Sequence, residues 1–101
     1  MELYQGDIIK ISGYSTRFLI ISKNSFIKAA HVFHVCPVLK ACTAGPLHIK
    51  ITGQNSETGT AACEQIKLID PASRNCIKTD RISYDQIMNI SDAVQGIFEY
   101  D

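Results

Sequence analysis

Residues 17–38 read RFLIISKNSFIKAAHVFHVCPV, and how this stretch divides decides the fold. Arg17–Ser22 is a β-branched apolar run of strand length. Lys23–Ala30 has no clear period and allows a turn of helix, after which VFHVCPV is strand-like again. Upstream, GDIIKIS (Gly6–Ser12) opens as a strand and SGYST makes a tight polar turn, so the first two strands form an antiparallel pair. Downstream, PLHIKI and TAACEQIKLID extend the series to three or four more strands after Ala30. The short breaks rich in Gly, Pro, Asn and Ser fit a small, strongly bent sheet or barrel.

Helical periodicity appears only at the end. In SYDQIMNISDAVQGIFEY, Ser83 is placed to cap the N-terminus with Gln86 three residues on. Ile87, Ile90, Val94 and Ile97 form one apolar stripe, which packs on the sheet. The expected fold is therefore mainly β, a small barrel with a C-terminal α-helix.

A chain of 101 residues with 46% hydrophobic and 20% charged residues is one compact domain, spanning 1–101. No stretch approaches the ~18 consecutive apolar residues of a membrane span, and MELYQGDI has neither the basic start nor the apolar core of a secretory signal. The expectation is a cytoplasmic protein. There Cys36, Cys42, Cys63 and Cys76 stay reduced, and none of them forms the CxxC pair of a zinc or redox site, so no metal is expected. Ten basic residues against ten acidic ones give zero net charge, so any polyanion must be gripped locally rather than drawn by a global field.

Three segments together resemble the PemK/MazF toxins of type II toxin-antitoxin systems. RFLIISKNSFIKAAHVFHVCPV is similar to that family's second and third strands, in which an arginine leads an apolar strand and a later strand ends in Cys-Pro-Ile/Val-Thr. TGTAACEQIKLID (58–70) resembles the family's TG…C(D/E)Q.RTID segment, and GDI matches its opening strand. The resemblance implies an SH3-like β-barrel shared with the gyrase poison CcdB. It also implies a homodimer, an antitoxin peptide lying across an RNA groove, and cleavage of single-stranded RNA without metal or other cofactor.

In that chemistry the ribose 2′-OH attacks the adjacent phosphate, which requires proton transfer and a fixed positive charge on the phosphorane oxygens. The resemblance assigns Arg17 to the positive charge, a role its forked guanidinium suits, and Glu64 to proton transfer or to orienting the arginine. Gln65 can donate to a base edge or a phosphate. Ser22, Lys23, Lys40 and Thr43 are expected along the groove. On the residues alone, Arg17 also reads as a surface residue closing a hairpin, and Glu64 and Gln65 as a strand cap.

Departures from the family pattern bear on activity. The threonine after Cys-Pro-hydrophobic is here Leu39, the residue two before the acid is Ala62, and the first loop is reduced to GYST. His34 cannot replace the missing hydroxyl, because five residues of strand, about 16 Å and an odd offset, separate it from Leu39. His31 and His48 have no visible partner. The absence of tryptophan leaves few platforms on which bases stack. Three functions stay open: an endoribonuclease toxin with a weakened or rearranged site, a non-catalytic relative binding an antitoxin-like peptide or nucleic acid, and a CcdB-like gyrase inhibitor.

Overall fold

The computed structural model describes residues 2–99. Seven strands and two helices follow one another as β1 (Asp7–Ile11), β2 (Arg17–Ile20), α1 (Asn24–Ala30), β3 (Phe33–Leu39), β4 (His48–Thr52), β5 (Thr58–Ala62), β6 (Lys67–Ile69), β7 (Cys76–Arg81) and α2 (Tyr84–Ile97). All strand pairs are antiparallel, in the order β4-β5-β3-β2-β1-β7, with β6 added to the early half of β3.

The apolar runs do not alternate with polar residues because both faces of the central strands are covered. Neighbouring residues go to opposite cores. Ile9, Phe18, Ile20 and Val35 pack on one side with Phe33, Ile69 and Cys76. Ile8, Leu19 and Cys36 pack on the other with Ile51, Ala61, Cys63, Ile82 and Ile90 of α2. Ile87 and Val94 flank Ile90 on that second core, so three of the four stripe positions dock as their spacing predicts, while Ile97 is not part of that core.

Two features bend the sheet into a barrel-like shape. Thr79 is an extra residue in β7, since Ile8 pairs with Asp80 and Ile9 with Lys78, and such a bulge sharpens the local twist. The two ends of the strand path then meet at one corner, where Gly53 bridges Ile82 and the Gln54 N–H donates to the Arg81 carbonyl. The meeting is a corner contact and not a continuous ladder. Glycine is required at position 53 because a Cβ there would stand 2.0 Å from the Asp80 carboxylate.

One sequence expectation is refined, one strand is added and one cap stands as expected. TAACEQIKLID is two short strands, β5 and β6, separated by a turn in which the Gln65 N–H donates to the Ala62 carbonyl. Strand β7, CIKTDR, carries too many polar residues to show as a strand by its own pattern, yet it pairs with β1 along its length. Ser83 does cap α2, accepting from the Gln86 N–H. The Gln86 amide, besides touching Ser83, pairs with both backbone groups of Thr52 at 2.8 and 2.9 Å, which occupies polar groups on the β4 edge.

The GDI opening has a structural cause. Asp7 is fully buried, accepts the Tyr4 N–H at 2.8 Å, and is neutralised by Arg81 at 2.7 Å and Lys78 at 3.4 Å.

Candidate functional site

Arg17 opens β2 directly opposite Val38, and the short GYST loop delivers it to one end of the sheet. There it lines a groove of about 680 Å³ with Ser15, Thr16, Leu39, Lys40, Glu57 and Thr58. The guanidinium Nε stands 3.6 Å from Glu57 Oε1, and both side chains remain open to solvent at 40% and 33%. Two cations, an acid and three hydroxyls therefore share one concave surface. Leu39, at the position of the family's threonine, lies among those hydroxyls.

Asp80 holds this groove in place from behind. Its buried carboxylate accepts the backbone N–H groups of Asn55 at 2.8 Å, Glu57 at 2.9 Å and Arg81 at 2.7 Å. Burial raises the Asp80 pKa, but the backbone donors outweigh it and hold the carboxyl below its ordinary value. The loop that carries Glu57 is thus tied to β7.

Glu64 lies on a different patch. Arg17, Val38 and Ala61 form one cross-strand row, so Arg17 and Ala61 are two strand spacings apart, roughly 10 Å, and Glu64 follows three residues later. Its carboxylate bonds His48 Nε2 at 2.8 Å, with side-chain exposures of 31% for the histidine and 37% for the acid. His48 Nδ1 in turn stands 3.1 Å from the Thr43 carbonyl and 3.2 Å from Cys42 Sγ. The Glu64 bond, then the Thr43 carbonyl, raise the His48 pKa, and the His48 bond lowers that of Glu64.

The remaining sequence candidates are spread out. Lys40 is exposed at the Arg17 groove, Thr43 meets Glu64 only through His48, and Gln65 is exposed beside Glu64. Lys23 is the exposed N-cap of α1. Ser22 is buried at the far end of β2, where its hydroxyl accepts the His34 N–H and lies 2.8 Å from His34 Nδ1. Glu57, Ser15 and Thr16 had no signal in the sequence, and Thr58 appeared there only as the first residue of the TG segment. His48 had none either, because its partner is 16 residues away.

A second cavity of about 690 Å³ lies between the N-terminal segment, α1 and Pro71. It is lined by Leu3, Ile27 and Phe33, with Glu2, Lys28 and His31 around them. The Arg17 groove is the better candidate because its charged and hydroxyl groups converge. Among the described residues, no group of three His, Cys, Asp or Glu side chains is arranged to hold a metal ion. No helix among them is long and apolar enough to cross a membrane.

Comparison with known proteins places this chain in a family. Residues 6–98 match the PemK-like, MazF-like toxins of type II toxin-antitoxin systems, and the chain belongs to that family. Its fold is similar to MazF in the MazE–MazF crystal structure from Deinococcus radiodurans, with a TM-score of 0.83, 12% identity and 96% of each chain covered. It is also similar to an endoribonuclease in complex with its cognate antitoxin from a mycobacterial species, with a TM-score of 0.78, 12% identity, and 99% of this chain and 100% of that chain covered. No curated protein matches the sequence.

Proposed function

We propose that this chain is the toxin of a type II toxin-antitoxin pair and cleaves single-stranded RNA in the cytoplasm without a metal ion. The observation that carries this reading is the open groove in which Arg17 faces Glu57 beside Lys40 and three hydroxyl side chains. In the reaction the 2′-oxygen bonds to phosphorus and the 5′-oxygen leaves, giving a cyclic phosphate and a free 5′-OH. Arg17 neutralises the phosphorane oxygens, Glu57 accepts the 2′-OH proton, and the departing 5′-oxygen takes a proton from water in the open groove. Ser15, Thr16 and Thr58 line the same groove as Leu39 and supply the hydroxyl donors that Leu39 lacks.

Lys40 takes a flanking phosphate. Glu64 keeps His48 charged for a neighbouring nucleotide, with Gln65 and Thr43 at the same rim. Ser22 and Lys23, at the far end of β2, hold the strand and helix entry rather than the substrate. An antitoxin segment covering the groove fits the family and the antitoxin-bound relatives. A homodimer likewise fits the family, and Leu68, Ile77, Tyr84 and Phe98 are exposed apolar side chains. The test is incubation of the purified full chain with a mixed single-stranded RNA pool in EDTA. Fragments ending in cyclic phosphate are expected, with Arg17→Ala inactive; intact RNA after incubation with the wild type overturns the reading.

One observation favours a second reading. Glu57 already occupies the guanidinium and Leu39 removes a hydroxyl, as in a relative that has kept the groove to bind an antitoxin-like peptide and lost the chemistry. Efficient RNA cleavage by the wild type eliminates it.

A further inference from the structure

Outside the Arg17 groove, Cys42, His48 and Glu64 form a line of thiol, imidazole and carboxylate. Cys42 Sγ lies 3.2 Å from His48 Nδ1, and His48 Nε2 lies 2.8 Å from Glu64 Oε2. A thiol beside an imidazolium that a carboxylate holds in place is an arrangement that favours the reactive thiolate. We propose that Cys42 is a reactive thiol that exchanges with low-molecular-weight disulfides of the glutathione class.

The contacts of His48 define its state in this arrangement. The Thr43 carbonyl, 3.1 Å from Nδ1, can only accept, so Nδ1 carries a proton. The carboxylate at Nε2 also only accepts, so Nε2 carries one as well. His48 is then an imidazolium, and the sulfur beside it stands on the accepting side of an N–H. The shift of the His48 pKa above its ordinary value has the same origin. Because the two nitrogens point to different partners, one metal ion cannot bind all three side chains, which separates this cluster from a metal site.

The exchange step balances without a further reactant. Cys42 gives its proton to solvent, and the thiolate, held beside the Nδ1–H of the imidazolium, attacks one sulfur of the disulfide. The S–S bond breaks, and the departing thiolate takes up a proton from solvent. The products are a mixed disulfide at Cys42 and one free thiol; the small disulfide is reduced as Cys42 is oxidised. Selectivity comes from burial: Cys36, Cys63 and Cys76 are fully buried, and Cys42 alone is half-buried. The Cys63 hydrogen bond and burial push the Cys36 thiol up, and burial pushes up that of Cys76.

The inference does not depend on RNA cleavage, and its test reads the adduct alone. The full-length reduced protein is mixed with oxidised glutathione at neutral pH, and the adduct is followed by intact mass and located by peptide mapping. The expected result is one adduct on Cys42, with a rate roughly tenfold lower in His48→Ala and lower also in Glu64→Gln. Cys42→Ser gives no adduct. His48→Asn is a second replacement, and the urea midpoint of each variant shows that it is folded. Wild-type and folded His48 variants reacting at the same rate overturns the proposal, as does an adduct spread over the buried cysteines.

Discussion

Arg17 Nε and Glu57 Oε1 face each other at 3.6 Å across the mouth of the groove, and the Glu57 backbone N–H is held at 2.9 Å by Asp80. The cation proposed for catalysis is thus aimed by an acid whose loop is fixed from the opposite side. Removing the guanidinium removes charge stabilisation in the transition state. Arg17→Ala is expected to lose about 10²–10³-fold in kcat, and Arg17→Lys to recover little because a point charge cannot replace the fork. Single-turnover RNA cleavage measures both.

Glu57 separates base from mere partner. If it takes the 2′-OH proton, Glu57→Gln lowers kcat by about 10²-fold or more while preserving the shape of the groove. If it only restrains Arg17, the same change frees the guanidinium and tightens RNA binding. Cleavage rates beside a binding titration distinguish the two.

Leu39→Thr restores the family's hydroxyl in a groove that already holds Ser15, Thr16 and Thr58. A rise in cleavage of less than about tenfold is expected, within the range of one neutral hydrogen bond. A rise from no detectable activity to full activity would show that the three native hydroxyls do not reach the phosphate.

Asp80→Ala leaves the N–H groups of Asn55, Glu57 and Arg81 without their acceptor inside a partly buried corner. The expected cost is about 2–3 kcal/mol, read from urea unfolding. Because the folded-state pKa of Asp80 is lowered, its ionised form stabilises the fold above the unfolded pKa, and that contribution fades as pH falls through the folded value.

The His48–Glu64 pair has its own pH window. The raised histidine pKa contributes stability present below the unfolded value, near 6.5, and lost as pH rises through the folded one. The lowered Glu64 pKa contributes stability present above the unfolded value, near 4.5, and lost as pH falls through the folded one. The pair is therefore fully formed between those two unfolded values. In Glu64→Gln the His48 titration midpoint, followed by NMR, is expected to fall back toward 6.5.

Local sequence was enough for the elements that build the scaffold. The run Arg17–Ser22, the GYST turn, the strand through Cys36 and the Ile87–Ile90–Val94 stripe each announce themselves through period or composition, because a strand or helix face buried against a core must be apolar along its length. The family resemblance rested on those same segments, and Arg17 was legible because it leads one of them. Strand β7 was hidden, since its pairing with β1 uses backbone groups that place no demand on side-chain polarity.

The site divided differently. Sequence placed Arg17 and Glu64 in one centre; the register of β2, β3 and β5 puts them on separate patches and gives each a partner from elsewhere, Glu57 and His48. Neither partner is marked by spacing, because each pair is closed by strand pairing and loop anchoring between residues 40 and 16 positions apart. What the sequence by itself determined is the apolar patterning that makes a two-core barrel with a docked helix. Which charges meet on its surface was decided only by the tertiary fold, since short-range electrostatic contacts depend on distances that chain order does not encode.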